Sequence, residues 1–319
     1  MARVAVLGAG TMGHALALVF ALGGHRVRLT DNNPETLAKA GALMAKALAS
    51  LAAAGEAPGW TAARLAEAVT RHEDLAECVE GAEIVVEAIV ENPEAKRSLF
   101  ARLDAAAPEA AIIASNTSYL DVFPLIPPRR QRQAVIAHWY TPPYLVDLVD
   151  IVGGPETDPA VVETMRATCA AMGKQPIVMR KFVPGYIANR IQSAIGLEVQ
   201  KLLDDGVATA QEIDAAIIHG IALRLPILGV LAKADFTGLP MMQHALRNRM
   251  YEPPPVEGRS RTLDALIDAG RTGVMSGAGY YDWGGKDAAT LFEERDRRLL
   301  ALRKALREIG TMAGLERGP

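Results

Sequence analysis

Arg3-Val-Ala-Val-Leu-Gly-Ala-Gly-Thr-Met-Gly-His14, continuing through Ala15-Leu-Ala-Leu-Val-Phe-Ala-Leu22 to His25-Arg-Val-Arg-Leu-Thr-Asp31, decides how the N-terminal half is read. Arg3 to Leu7 is a short β-rich run, which predicts a strand; the stretch from His14 to Leu22 has helix-forming composition and stops at Gly23-Gly24. His25 to Thr30 predicts a second strand. Between strand and helix lies Gly8-Ala9-Gly10-Thr11-Met12-Gly13, the pattern GxGxxG. On its own that pattern is weak. Here it follows a strand, opens a helix, and has an acidic residue, Asp31, 18 positions after Gly13, which is the context a dinucleotide site needs.

The chemistry explains the spacing. Gly8, Gly10 and Gly13 let the backbone turn tightly and approach a pyrophosphate, whose charge the helix N-terminus stabilises; Thr11 and Met12 complete the loop. Asp31 is placed to accept hydrogen bonds from ribose hydroxyls and to repel a 2'-phosphate. Asn32 and Asn33 follow it, with no arginine to receive that phosphate, so NAD is the expected cofactor rather than NADP.

At 319 residues the chain exceeds what one hydrophobic core usually serves, which predicts two domains. Composition is ordinary for a globular protein, with 50% hydrophobic and 22% charged residues. A formal charge of -3 offers no field for nucleic acid or anionic lipid. Cys78 and Cys169 are too few for a disulfide framework and lack metal-ligand spacing; they read as free thiols of a reducing compartment, the cytoplasm, and no metal site is expected. The apolar N-terminus is a poor signal peptide, because three glycines interrupt it and Arg3 is its only early cation. No uninterrupted apolar run reaches the roughly 18 residues of a membrane span.

Further along, an alanine-rich helix is predicted from Pro34 to about Ala54 and another from Thr61 to about Val69. Strand candidates recur at Ile84 to Ile89, Ala111 to Ala114, Val135 to His138 and Leu145 to Val152. Alternating strands and helices predict an α/β Rossmann fold, a doubly wound, mostly parallel sheet, with the last two strands antiparallel because Pro142-Pro143 leaves only a short connection. After Val183-Pro184-Gly185 the strand signal fades and helices dominate, including a capping-box pattern at Thr209 and Glu212. The expected division is residues 1–182, an NAD-binding domain, and 183–319, an all-helical domain.

His138 closes a strand run and precedes Trp139, Tyr140 and a Thr-Pro-Pro break, at a strand end where open α/β sheets place ligands. In Leu145 to Val152, alternation puts Asp150 on one face with Val146, Leu148 and Val152, and a carboxylate on an apolar face needs a partner. A histidine is suited to taking a hydroxyl proton near neutral pH, and a carboxylate behind it would fix its tautomer. From the residues alone, a catalytic and a structural reading of this pair both stand. His25, His72, His219 and His244 read as surface or structural residues. His14 reads as packing near the pyrophosphate.

At these residues the sequence resembles the 3-hydroxyacyl-CoA dehydrogenase family over nearly the whole chain. The resemblance is carried in order by GAGTMG at 8 to 13, VEAIVENPEAKRSLF at 86 to 100, ASNTS at 114 to 118, AHWYTPPY at 137 to 144 and PGYIANR at 184 to 190. It implies that His138 is the catalytic base and Asp150 its carboxylate partner. It implies that Glu91 and Lys96 contact the cofactor, that Asn116 and Ser118 line the nicotinamide and substrate side, and that Asn189 holds the substrate. Without the resemblance, Asn116 and Asn189 read as caps or turns, and Glu91-Asn92-Pro93 as a helix start. The family fold further implies a homodimer formed through the helical domain, with a small molecule as substrate.

Three departures stand out. Asp150 occupies the place of a glutamate. The family's HFFNP is here His138-Trp139-Tyr140-Thr141-Pro142. The stretch Thr36 to Ala68 carries only Lys39, Lys46 and Arg64, giving a CoA 3'-phosphate little attraction. The resemblance therefore implies oxidation of a 3-hydroxyacyl-CoA at C3, with a free 3-hydroxy acid or polyol acid, as in the L-gulonate (lambda-crystallin) and carnitine dehydrogenase groups, as the alternative. A decarboxylating β-hydroxyacid dehydrogenase would show a Gly-x-x-x-Lys motif near the domain boundary, where Gly185 is followed instead by Tyr-Ile-Ala-Asn. A non-catalytic NAD-binding protein would have no use for His138, Asp150, Ser118 and Asn189 together.

Overall fold

The computed structural model describes residues 1–312. It divides into two compact units, Met1–Ala188 and Asn189 onward. The first unit begins β1 (Arg3–Leu7), α1 (Gly13–Leu22), β2 (Arg26–Thr30), α2 (Pro34–Ala53), α3 (Ala62–Ala68), β3 (Val69–Arg71) and α4 (Leu75–Val79). It continues with β4 (Ile84–Glu87), α5 (Pro93–Ala106), β5 (Ile112–Ser115), β6 (Ala134–Trp139), β7 (Leu148–Gly153), α6 (Pro159–Ala171) and β8 (Gln175–Met179). Their order in one eight-stranded sheet is β3-β2-β1-β4-β5-β6-β7-β8. The six strands from β3 to β6 are parallel; β7 runs antiparallel to β6, and β8 parallel to β7.

This is the doubly wound order in which strand direction of travel reverses between β1 and β4, leaving a crevice beyond their carboxyl ends. The Leu148–Gly153 strand pairs antiparallel with its predecessor, as the short Pro142-Pro143 connection predicts. Burial follows the layers. Every residue from Ala15 to Ala21 of α1 is buried, because the helix lies between the sheet and the helices α2 and α3. On the sheet, Ala5, Leu7, Val85, Ile113 and Ile136 pack with Phe100 and Leu103 of α5. Among the described residues only α2 has the length and composition to cross a membrane; its stripe Leu37, Ala40, Met44, Ala47, Leu48 and Leu51 is buried within this unit.

Two strands carry no sequence signal. β3 is three residues long with two of them exposed, and β8 has no buried residue. Both are edge strands, which lack the two-sided burial that writes an apolar run into a central strand. The segment 183–188, expected with the helical domain, packs with the sheet instead: Gly185 N–H donates to Ser118 O, and Tyr186 is wholly buried in the core.

The second unit contains α7 (Ala188–Asp204, whose first residue belongs to the first unit), α8 (Ala210–Ala216), α9 (Leu225–Thr237, kinked at Gly229), α10 (Leu239–Arg247), α11 (Arg261–Asp268) and α12 (Ala288–Ile309). The capping box at Thr209 and Glu212 is formed. Asp204, at the end of α7, accepts hydrogen bonds from Ser260 Oγ and the N–H groups of Arg261 and Thr262, tying α11 to α7.

Candidate active site

The glycine loop is dictated by close approach. Gly8 has φ +93°, and a Cβ there would lie 2.6 Å from Ala88 O, on the neighbouring strand's continuation. A Cβ on Gly13 would lie 1.6 Å from Gly8 O, so α1 can start this close to β1 only through glycine. A Cβ on Gly10 would meet nothing within 4 Å. Its exposed backbone faces open space, and no side chain caps the N–H groups that start α1. This is a fit for a pyrophosphate: unpaired donors and room for an anion at a helix N-terminus. His14 donates from Nδ1 to Gly10 O at 2.6 Å, while burial lowers the ring's pKa against the opposing effect of that carbonyl.

Asp31 ends β2 with its carboxylate fixed. Oδ2 accepts from Ala9 N–H at 2.6 Å and Oδ1 from Asn33 N–H at 2.8 Å, so the acid is locked beside the loop while its own side chain stays partly exposed. Asn33 is occupied as the cap of α2. Replacing Asp31 by alanine is expected to raise the NAD dissociation constant about tenfold or more, the worth of a charge-assisted hydrogen bond. Fluorescence titration with NAD and NADP measures it; equal affinity of the parent protein for the two would contradict the role.

Near the end of β6, which runs parallel to β1, the same edge of the sheet carries the histidine. Thr141 Oγ1 lies 3.0 Å from Met12 Sδ, joining the segment after His138 directly to the glycine loop. His138 and Asp150 are directly opposite each other in the antiparallel β6–β7 register. The pairing follows from the short turn between the strands, and it aims both side chains at one face. His138 is 3% exposed and Asp150 fully buried. Nδ1 of the histidine stands 3.4 Å from Asp150 Oδ2, and Nε2 lies 3.3 Å from Ser118 Oγ. With Nδ1 facing a carboxylate, the proton belongs on Nδ1, and Nε2 is the basic nitrogen.

Two tyrosines absent from the sequence-based set frame the ring. Tyr186 lies against one face, ring centroids 4.6 Å apart at 31°, and donates its hydroxyl to Thr117 O. Burial, then Glu91, Asp150, Tyr140 and Glu87, push its phenol above the ordinary value, so it remains a donor. Tyr140 meets the ring edge-on at 4.6 Å and donates its hydroxyl to Asp150 Oδ2 at 2.6 Å. Tyr186 sits in the PGYIANR segment at φ +51°, a conformation unusual for a bulky residue, but nothing in the linear sequence connects it to His138.

The loop that carries Ser118 is held by acids. Glu91 Oε1 accepts from Thr117 Oγ1 (2.7 Å) and from the N–H groups of Ser118 (2.8 Å), Tyr119 (2.9 Å) and Leu120 (3.3 Å). Burial raises the pKa of this carboxyl, but the Tyr119 N–H, the Thr117 hydroxyl, Lys96 and the Ser118 N–H outweigh it and hold the group below the usual carboxylate range. Lys96 is 1% exposed and pairs with Glu87 at 2.6 Å and Glu91 at 3.3 Å. Its ammonium is enclosed by two carboxylates, and through Glu91 it backs the loop that carries Ser118. Asn116 Oδ1 accepts from Trp139 N–H at 2.8 Å, bracing the strand end beside His138. Asn92 caps α5, so the helix-start reading and the loop-clamp geometry of Glu91 coexist. Asn189 lies half-buried at the start of α7, in the second unit.

The site thus places an imidazole, its Nε2 facing the Ser118 hydroxyl, on the edge of the sheet that carries a dinucleotide-binding loop. Residues 3–182 match the NAD-binding domain model of 3-hydroxyacyl-CoA dehydrogenase, and residues 185–283 match that family's C-terminal domain model. The chain belongs to the 3-hydroxyacyl-CoA dehydrogenase family. Like the family, it is an NAD-dependent dehydrogenase acting on a small molecule. L-carnitine dehydrogenase of Streptomyces griseus is 35% identical, the match covering 95% of this chain and 89% of that one. The solved structure of 5-formyl-3-hydroxy-2-methylpyridine 4-carboxylic acid 5-dehydrogenase, described as NAD+ dependent, superposes with TM-score 0.85 at 27% identity over 96% of this chain and 99% of that one. That of (S)-3-hydroxybutyryl-CoA dehydrogenase from Ralstonia eutropha gives 0.67 at 28% identity, covering 88% and 99%.

Proposed function

We propose that this family member oxidises the 3-hydroxyl of a free hydroxy acid, of the L-carnitine or L-gulonate kind, rather than that of a CoA thioester. The observation that carries the reading is the state of the three cations in the α2–α3 stretch. Lys39 is paired with Glu35 at 3.7 Å, Lys46 has a partner of its own, and Arg64 stacks on Trp60 and donates to Gly59 O. The stretch thus offers the three phosphates of CoA no more than three cations, each already with a partner, where their recognition needs basic donors. Two of the relatives above are named for L-carnitine and a pyridine carboxylic acid, neither a thioester, which supports the same reading.

NAD, when bound on Gly8 to Gly13 and Asp31, supplies the hydride acceptor. His138 takes the hydroxyl proton on Nε2 as the C–H electron pair leaves, and the imidazolium so formed is stabilised through Nδ1–H by Asp150. Ser118 Oγ, beside Nε2, orients the substrate oxygen. Glu91 holds the loop that carries Ser118. In the reverse direction the same imidazolium returns the proton to the ketone oxygen.

The functional unit we propose is a homodimer joined through the helical domain. Leu223, Leu231, Phe236, Leu239, Met241 and Leu246 are all more than half exposed there, an apolar area that a soluble protein covers with a partner. The cytoplasm is the proposed compartment, since Cys78 and Cys169 are buried free thiols, each pushed up to about 12 chiefly by burial.

Initial rates of NAD reduction with 3-hydroxybutyryl-CoA, 3-hydroxybutyrate, L-gulonate and L-carnitine decide the substrate class. A free acid is expected to give the highest kcat/KM. A thioester preferred tenfold or more, equivalent to about 1.4 kcal/mol, overturns the assignment.

A further inference from the structure

Asp150 offers two oxygens, and the structure loads only one. Oδ1 is buried without a hydrogen-bond partner among the described residues. Oδ2 takes the Tyr140 hydroxyl at 2.6 Å and faces His138 Nδ1 at 3.4 Å. The first contact is a short, strong hydrogen bond to a charged acceptor; the second is longer than a well-made N–H···O bond. Tyr140 follows His138 by two positions along β6 and its continuation, so both side chains fall on the face that Asp150 occupies from β7.

We propose that Tyr140 is a positioning residue that sets the basicity of His138 by sharing Asp150 Oδ2 with it. The inference rests on the reading of His138 as the proton acceptor. A carboxylate oxygen already engaged by a phenol is a weaker acceptor for a second donor. The imidazolium formed during oxidation is then held less tightly, and His138 is a weaker base than an unshared carboxylate would make it. Removing the hydroxyl frees Oδ2 to draw the Nδ1–H closer than 3.4 Å. The ring's affinity for a proton rises. Oxidation requires the neutral imidazole, so the acid limb of the rate profile moves to higher pH.

Four groups among the described residues face His138. Asp150 faces it from β7, Tyr140 from its own strand's continuation, Ser118 from the loop after β5, and Tyr186 from the segment ahead of α7. Behind Tyr186 lie Glu91 and Glu87, both paired with Lys96. Of these, only the Tyr140 hydroxyl competes with the imidazole for one oxygen.

The test is Tyr140→Phe, which keeps the aromatic ring against His138 and removes only the hydroxyl. The pH dependence of kcat/KM is measured in the oxidative direction with saturating NAD, alongside an NMR titration of the His138 imidazole in the NAD complex. Both midpoints are expected to rise by roughly half a pH unit or more. In an Asp150→Asn background, where no carboxylate remains to be shared, the same substitution is expected to shift neither. An unmoved or lowered midpoint in the single variant overturns the proposal, as does an equal shift in both backgrounds. Failure of the underlying reading looks different: His138→Gln would then retain full turnover, whatever Tyr140→Phe does.

Discussion

His138→Gln is expected to lower kcat for alcohol oxidation by about a hundredfold to ten-thousandfold, the worth of a positioned general base. The dissociation constant for NAD should stay within a factor of about two, because binding falls to residues on other strands and the fold is scarcely touched. Glutamine preserves the polar character and approximate size of the imidazole, so the buried surroundings of Tyr140, Tyr186 and Asp150 remain filled. What is lost is a nitrogen that can accept and hold a proton. NADH formation followed by absorbance gives kcat, and fluorescence quenching gives the NAD affinity. Turnover equal to the parent would remove His138 from the mechanism and leave a nucleotide-binding fold with its base unassigned.

The largest structural effect is expected from Lys96→Met. The ammonium is 1% exposed and is the counter-charge of Glu87, itself fully buried, and of Glu91. Methionine fills the space but leaves the buried Glu87 carboxyl without its counter-charge, with hydrogen bonds from Ser115 Oγ and Ile89 N–H among the described residues. Breaking a buried pair from one side typically costs about 3–5 kcal/mol. Chemical denaturation at neutral pH reads it directly, and a loss below about 1 kcal/mol would show the pair to be dispensable.

The pH dependence of this loss has a definite sign. The Glu91 carboxyl is held below its ordinary range, so its stabilising contribution is present above the unfolded-state pKa and disappears as pH falls through the folded-state value. Lys96 is one of the causes of that depression. The parent should therefore lose stability on acidification more steeply than Lys96→Met. Turnover should fall as well, since Glu91 anchors the N–H of Ser118.

How much was legible in advance can be traced residue by residue. The glycine loop and Asp31 were readable because their spacing is fixed by local backbone geometry: Gly13 must be glycine when its Cβ would sit 1.6 Å from Gly8 O, a contact made within six residues. The pairing of His138 with Asp150 was readable in part, because a short turn and strand alternation together constrain an antiparallel register. The ion pairs of Lys96 were not legible, for a physical reason. The resemblance implied a cofactor contact for it, and the linear sequence does not show its ion pair with Glu87 of β4, which only the folded chain brings within 2.6 Å. Tyr140 was visible as part of the departure from the family's HFFNP, yet its hydroxyl's partner was not.

The linear sequence, then, settled the order of strands and helices through the central sheet, the dinucleotide loop and its preference for NAD, and the family through several motifs in fixed order. These rest on short-range rules, since the chain's own period and glycine positions encode them. Tertiary structure alone decided the edge strands β3 and β8, the burial of Lys96, the stacking of Tyr186 on His138 from 48 positions away, and the sharing of one Asp150 oxygen between two donors. Such contacts join residues far apart in the chain. Their existence depends on how the sheet, loops and helices close around a common interior, a many-body outcome that no local pattern records.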